Sequence, residues 1–559
     1  MDCRPLGRAA TSLLAVFLAG TVVPAAPAAE RPVFSLAAAA AAGDGESGPA
    51  PVAFSLAEGT APEASGPAAE AAGPAAPMPK KWRRFLVQEG IMAVYSTIKY
   101  WSEYHTWIED WQFELTFADQ YKRFLTTQAI TFDSNAYATN WTHVLGGALY
   151  YQMARTNYLT WAESVLASFA CSAIYEYVSE WREVISINDM ALTTFGGYSL
   201  GETWFQVGDY LHHRRSPVLR ALGFVNPVNE LNQWLDRKNP ASQAYPEPGW
   251  AAMAISVAGW HSAEAGRPSY GAARVEIETE LVRIPEYGRT GTFKKLLRDT
   301  SLSELAAGVT LKERRPEDGN VVGGPAEEID VTARVVGLSW YSQSIDELGR
   351  GSAFSIGLGS ALSYVRKRPI IYDARGARVH IEPPPATPTD FRDKMTVAHM
   401  FGPVVDWTLF GRGVRVRAVA DAYADFALMN AFAFNAYSQG SDIEGMKTTL
   451  CYYGYYYAYG GTASARVDVD WGNLGVRALV SGHAWGSWQG RDRFQDSITN
   501  NARASDTRTR FLVRAGWRFG AVPLRVFAGI EGIHRWGKVG DVRAAGSETR
   551  TFAGLSYLF

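Results

Sequence analysis

The sequence predicts an α+β chain: an N-terminal α-helical domain followed by a transmembrane antiparallel β-barrel of about 12 strands. Three observations predict it. The apolar period is helical between Asn140 and His213 and changes to two after about Trp250. The alternating segments are joined by short and long connections in turn, as the two ends of an outer-membrane barrel require. The chain closes on Gly554-Leu555-Ser556-Tyr557-Leu558-Phe559, an aromatic-ended edge strand of the kind that barrel-assembly machinery pairs with before closure.

From the N-terminus, residues 1–28 read as an export signal. Arg4 and Arg8 supply the basic region, Ser12 to Val23 the apolar one and Ala26-Pro27-Ala28 the small-residue cleavage pattern. The apolar stretch is too short to cross a bilayer comfortably. Residues 29–79 are Ala, Pro, Gly and Glu with almost no large side chains, too little apolar surface to offset the entropy of ordering, and are expected to be a disordered tether. A helical domain is expected over 80–240. It opens with Lys80-Lys81-Trp82-Arg83-Arg84 and the amphipathic stretch Phe85 to His105, which suits either anionic lipid head groups or a solvated helix start. Cys171 and Cys451 remain after signal removal and are expected to be unpaired thiols. The formal net charge of −2 gives no general argument for a nucleic-acid partner.

The barrel is expected over 250–559. In Ala463 to Trp471, Ala465, Val467, Val469 and Trp471 fall on one side and Ser464, Arg466, Asp468 and Asp470 on the other, a lipid face and a lumen face. Gly472-Asn473 makes a tight turn, and Leu474, Val476, Ala478 and Val480 resume the apolar face against Arg477, Ser481 and His483. Val414 to Asp425, Phe511 to Phe519 and Ala273 to Leu281 repeat the pattern, with Arg415, Arg417, Arg514 and Glu278 among the inward residues. Short connections at Gly411-Arg412-Gly413, Gly472-Asn473 and Gly520-Ala521 alternate with long ones at Lys367 to Lys394, Asn430 to Met446 and Gln489 to Ser505. A soluble sandwich also alternates, but not with this rhythm of loops. Ile284 to Ser301 breaks the rhythm, and a small helix is expected at Phe293 to Arg298.

Four helices are expected in the central region: Thr142 to Thr156, Thr160 to Val178, Ile187 to Leu200 and Glu202 to His212. They carry stripes at four-residue spacing: His143, Gly147, Tyr151, Arg155; Ser164, Ser168, Ser172, Glu176, Glu180; and Asp189, Thr193, Gly197, Gly201. Residues four apart share a ridge, so each helix has a small or polar seam that permits close approach. Facing seams would gather His143, Arg155, Glu176, Glu180 and Asp189 into one polar interior with Glu202 beside it. Each has a structural alternative: an N-terminal cap for Asp189, ion pairs of Glu176 and Glu180 with Arg155 or with barrel residues such as Arg415 and Arg514, and an interior hydrogen bond for His143.

The same residues carry a resemblance. Asn140 with His143 and Gly147, Tyr151 with Ala154-Arg155 and Asn157, Trp161 with Ser164, Ser172 before Tyr175-Glu176-Tyr177 and Glu180, Ser186-Ile187-Asn188-Asp189, and Thr194 with Gly196-Gly197 and Gly201-Glu202 resemble the signature of the bacterial envelope family called domain of unknown function 3943. The match runs from about Asn140 to Asp236, including Asn226-Pro227 and the helix after it. The resemblance implies a Gram-negative envelope location and this architecture, and no activity.

No Gly-x-Ser-x-Gly elbow, phosphate-cradling loop or His-x-x-Glu-His pattern is present, so no cofactor and no metal are expected. Two functions are open at this point. One is an outer-membrane barrel with lipids as neighbours and the helices as lumen plug or periplasmic cap, serving as a gated passage or envelope scaffold. Small inward residues Ser355, Gly357, Gly359, Ala361 and Ser363 would give an insert room. The other is a lipid- or cell-wall-modifying hydrolase, with His143 as acid or base, Glu176 or Asp189 orienting it and Arg155 holding an anionic head group.

Overall fold

A computed structural model describes residues 79–559 except 105–111, 134–136, 215–218, 221–222, 224–225, 237–247, 266–268, 313–325, 368–370, 373–377, 380–392, 452, 493–497 and 521. The expected signal and all but the last residue of the expected tether lie outside the described residues.

Helix α1 (Trp82–Lys99) runs on into a π turn, Tyr100–Tyr104, and is followed by α2 (Phe117–Leu125), capped by Thr116 on the Asp119 amide. The basic cluster at the start of α1 is pinned within the domain: Lys80 pairs with Glu163 at 2.6 Å, and Lys81 and Arg84 both pair with Asp236. Helices α3 (Tyr137–Thr156) and α4 (Trp161–Ile174) come next, α4 opening with a Thr160/Glu163 capping box. A π turn, Tyr175–Ser179, leads to α5 (Ile187–Ala191), and a second, Leu192–Gly196, joins α5 to α6 (Gly197–His212). The expected break between Leu200 and Glu202 does not occur. Gly201 lies inside α6 against Ala148 of α3, where a side chain would not fit. Helix α7 (Pro227–Leu235) is capped by Asn226, with Pro at its first turn.

The barrel strands are β1 (Trp250–Glu264), β2 (Tyr270–Val282), β3 (Gly291–Leu297), β4 (Leu302–Leu311), β5 (Ala326–Ile345), β6 (Gly351–Lys367), β7 (Lys394–Gly411), β8 (Val414–Asn430), β9 (Tyr455–Trp471), β10 (Leu474–Ser487), β11 (Ala504–Arg518), β12 (Leu524–Val539) and β13 (Val542–Leu558). Twelve of them close antiparallel, β5 pairing with β6 and β13 with β1. The exception is β3, which replaces the small helix expected at Phe293 to Arg298. It pairs with Ser339–Ile345, the part of β5 that runs beyond β4, and so satisfies an edge that would otherwise be bare.

Inward side chains meet across the barrel. Arg466 of β9 reaches Glu304 of β4 at 2.8 Å, Arg514 of β11 reaches Glu278 of β2 at 2.7 Å, Arg550 of β13 reaches Glu328 of β5 at 2.9 Å, and Arg417 of β8 pairs with Glu280 of β2. These pairs identify the lumen face without ambiguity. Outward residues Val480, Val513, Ile530, Leu555 and Val257 are exposed and apolar, while Trp340, Trp407, Trp471 and Trp517 stand outward near the short-turn end. A lipid-facing band with an aromatic girdle is the signature of an outer-membrane barrel.

The helical domain lies against the outer wall of this barrel. It is neither a plug in the lumen nor a cap below it. Its contacts are with outward residues: Ser199 shares a 2.9 Å hydrogen bond with Ser360, Thr396 donates to the Tyr137 hydroxyl at 3.1 Å, Trp141 packs on Tyr364 with centroids 4.2 Å apart, and Phe195 meets Phe401. Gly337, at a bulge in β5, lets Tyr198 and Trp161 come down on the strand. The inward residues Ser355 to Ser363 do line the lumen, but the space beside Gly357 and Gly359 holds Val336, Val404 and Tyr423. A cavity lined by Val282, Tyr341, Val404 and Asp406 has a volume of about 20 Å³, room for a single water.

Two glycine seams hold α3 to α6. A Cβ on Gly147 would strike the Thr193 carbonyl, and one on Gly197 would strike the Gly147 backbone. Gly147→Ala is expected to cost about 1–3 kcal/mol by forcing the helices apart. Thermal melting in detergent should show helical signal lost earlier while the barrel keeps its heat-dependent gel shift, and an unchanged melt would refute the seam.

Candidate acid–base site in the helical domain

The site is built where α3, α4 and α5 converge. Ser168 donates to the carbonyls of Gly147 at 3.3 Å and Thr193 at 3.2 Å, tying α4 to both neighbours through its small seam. Ser186 caps α5, its hydroxyl accepting from the Asp189 amide at 3.2 Å, while its own amide donates to Glu176 Oε2 at 2.9 Å. Asn188 Nδ2 donates to Asp189 Oδ1 and to Asn140 Oδ1, both at 2.9 Å. Asn140 in turn donates to the Tyr455 hydroxyl on the barrel wall at 3.3 Å. Against this fixed frame His143 Nε2 sits 3.2 Å from Asp189 Oδ1. The Asp189 side chain is 3% exposed and that of His143 23%, so the acid is sealed and the imidazole is open on one side.

The acids outnumber the cations. Burial is the largest influence on Glu176, Glu180 and Asp189 and raises all three above the ordinary carboxyl range. Neighbouring carboxylates push the same way: Asp189 on Glu176, and Glu176 on Glu180. For Asp189 the nearby His143 pulls in the opposite direction. Arg123 is completely buried beside them, but its N–H groups go to backbone carbonyls, those of Glu176 at 2.5 Å, Tyr177 at 2.8 Å, Glu180 at 2.9 Å and Glu183 at 2.8 Å. It closes the end of the π turn and leaves the carboxyls without a direct partner from its fork.

The single polar interior expected from the seams divides into two centres. His143, Glu176 and Asp189 form one, with Glu180 on its acidic side. Arg155 and Glu202 form the other, Arg155 Nε donating to Glu202 Oε2 at 2.9 Å and Nη2 to Oε1 at 3.1 Å. Glu202 also accepts from Tyr151 at 2.8 Å, Gln206 at 2.6 Å and Thr300 at 2.5 Å, and Arg155 reaches Asp299 at 2.8 Å. That centre joins α3 and α6 to the segment before β4 and has its hydrogen bonds filled. Arg155 is therefore not free to hold a head group. The expected pairing of Glu176 and Glu180 with Arg155, Arg415 or Arg514 does not form, since Arg415 holds Asp470 and Arg514 holds Glu278 inside the lumen.

Arg123, Asn188 and Tyr455 were not singled out by reasoning on charge patterns. Arg123 sits on an amphipathic helix outside the stripes, and Tyr455 belongs to a strand more than 300 residues downstream of its partner Asn140. Neither Cys171 nor Cys451 forms a disulfide, as expected. Among the described residues no three His, Cys, Asp or Glu side chains gather as a metal site.

Residues 129–228 match the model of a family described as a domain of unknown function (DUF3943), the family indicated by the motif order. No curated protein matches the chain. Solved structures to which it is similar include OmpTdeltaL8, an outer membrane protein of Vibrio cholerae, at 7% identity over 56% of this chain and 99% of that one, with a TM-score of 0.20. OccK1 of Pseudomonas aeruginosa is 9% identical over 55% and 99%, TM-score 0.14. The β-domain of the Bordetella autotransporter Brka is 12% identical over 55% and 98%, TM-score 0.20. At such scores the likeness carries no argument, and the fold rests on the strand pairing above.

Truncating one partner of the second centre, as in Glu202→Ala, leaves Arg155 short of its buried counter-charge and is expected to cost about 3–5 kcal/mol. Replacing both, Arg155→Met with Glu202→Leu, should recover much of that in the same melting assay; equal losses in single and double variants would deny the pairing.

A second expectation concerns pH. Glu180 has its folded-state pKa raised above the unfolded value, so the fold favours the neutral acid. That contribution is complete below the ordinary glutamate range and is lost as pH rises through the folded-state value. Glu180→Gln should therefore flatten the fall in helical-domain stability toward alkaline pH. A melting-temperature profile that keeps its slope in the variant would show that Glu180 is not the group responsible.

Proposed function

We propose that this outer-membrane barrel holds its helical domain in the bilayer plane, and that the His143–Asp189–Glu176 centre performs acid–base hydrolysis on an envelope lipid. The observation that carries the reading is the centre itself: an imidazole open on one side, paired to a buried acid, on the bilayer-facing side of the wall. Ionisable groups at such depth are expensive and mark function by default. The domain's outer surface supports a lipid neighbour. Leu86, Ile91, Val94 and Ile98 of α1 and Leu166 and Phe169 of α4 are all exposed, and they extend the apolar band of the bare wall. No described helix is long and apolar enough to cross a membrane by itself.

In this reading Asp189 takes the Nε2–H of His143 and fixes the tautomer, so Nδ1 is the basic atom. Nδ1 removes a proton from water as the hydroxide oxygen bonds to the ester carbonyl carbon. The proton then passes to the leaving alkoxide as its C–O bond breaks. Glu176, whose carboxyl burial pushes above its ordinary range, is suited to donate a hydrogen bond to developing negative charge. The cross-lumen ion pairs weigh against a gated passage, because the charges that would line a channel are spent on one another.

His143→Ala is expected to fold, shown by a retained heat-dependent gel shift, and to reproduce the change in extracted lipid composition caused by deleting the whole chain. The purified protein in planar bilayers should give no steady conductance. Wild-type lipid profiles in cells carrying folded His143→Ala would remove the hydrolase reading, and stable channel openings would restore the passage.

A further inference from the structure

The lumen carries a second group that none of the above uses. Ser363 of β6, His399 of β7 and Asp425 of β8 all point inward from adjacent strands. Ser363 Oγ lies 2.9 Å from His399 Nε2, and His399 Nδ1 lies 2.7 Å from Asp425 Oδ1. The remaining oxygen of Asp425 accepts from Thr462 Oγ1 at 2.5 Å and from Trp485 Nε1 at 3.0 Å. Asp425 and His399 are buried, whereas Ser363 is partly exposed.

We propose that Ser363, His399 and Asp425 form a serine-nucleophile triad that cleaves a short-chain carboxylic ester admitted to the lumen. The roles follow from the bonds. Asp425, fixed by two donors, accepts the Nδ1–H of His399 and so leaves the Nε2 lone pair directed at the Ser363 hydroxyl, the arrangement that activates serine. Ser363 lies on the lumen side of β6 and is only partly buried. Position adds a second argument. His399 is the last regularly paired residue before a bulge in β7, register being lost on both sides until Gly402 and Val404; bulges of this kind re-aim side chains beside active sites.

The step balances without a further reagent. The Ser363 oxygen bonds to the carbonyl carbon as its proton moves to His399 Nε2. That proton leaves with the alkoxide when the ester C–O bond breaks. Water then repeats the sequence, releasing the acid and restoring the serine. The centre lies on the opposite side of the wall from His143 and does not depend on it.

The test is labelling of the purified full-length chain in detergent with an alkyl fluorophosphonate, followed by peptide mass mapping. One adduct is expected, on Ser363, absent from Ser363→Ala and slowed roughly 100-fold in His399→Gln, with folding monitored by the heat-dependent gel shift. His143→Ala should label like wild type, which separates this proposal from the previous one. A folded wild-type barrel with no adduct on Ser363 overturns the triad, and so does an undiminished rate in folded His399→Gln. If His399→Gln does not fold, the wild-type adduct map alone decides.

Discussion

Hydrocarbon offers no hydrogen bonds, and the whole arrangement follows from that constraint. Ser360, Thr396 and Tyr455 point outward from strands whose mid-wall outward face is otherwise largely apolar. Left bare they would each carry an unsatisfied group into lipid. Ser199, Tyr137 and Asn140 reach them instead, and Leu362, Ala398 and Leu428 bury their surface with Trp141, Val144 and Leu200 in one apolar cluster. The helical domain therefore occupies the place that lipid takes on the rest of the wall. Its own polar seams then face inward, toward strands and neighbouring helices, and its apolar sides are left for the bilayer.

The lumen imposes the complementary condition. Inward arginines find carboxylates on neighbouring or distant strands, and several are shared: Arg334 holds both Glu304 and Asp421, and Glu304 also accepts from Arg466. Charges taken out of water in this way are tolerated only when paired on geometry that leaves few vacancies. A network spanning the barrel resists ovalisation, and the helical domain packs on the outward residues instead. Inside and outside are thus matched. The wall is stiffened by charge from within and clad by helices from without, and both demands are written on alternate residues of the same strands.

Much of this was legible in the sequence. The period change near Trp250, the Gly472-Asn473 turn and the inward sets of β8, β9, β10 and β11 all follow from alternation, because a barrel strand must separate lipid from lumen residue by residue. That His143 would face Glu176 or Asp189 was legible too, since the small seams bring those helix faces together; the structure pairs it with Asp189. The side of the wall on which the helices lie was not. Alternation sets Ser363 inward and Ser360 outward, but nothing local shows that Ser360 meets Ser199 of a helix in place of lipid. The triad was hidden for the same reason: its members are 36 and 26 residues apart and are joined by strand pairing alone. The helix expected at Phe293 to Arg298 failed because local composition says nothing of the unpaired edge of β5 that β3 completes.

The acidic centre is the part of the molecule that packing does not explain. Seams of Gly and Ser suffice to bring α3, α4 and α6 together, and apolar residues at 176, 180 and 189 would have served that packing at lower cost. Instead the chain buries three acids, and the one fully enclosed arginine nearby directs its donors to main-chain carbonyls. Desolvation and mutual repulsion both push Glu176 and Glu180 above the ordinary carboxyl range, beside one partly open imidazole paired to Asp189. In the proposed hydrolase reading, that cost keeps a proton donor and a proton acceptor within one hydrogen-bonded frame. A purely structural seam has no use for such a pair, whereas acid–base chemistry at a lipid surface requires both forms together.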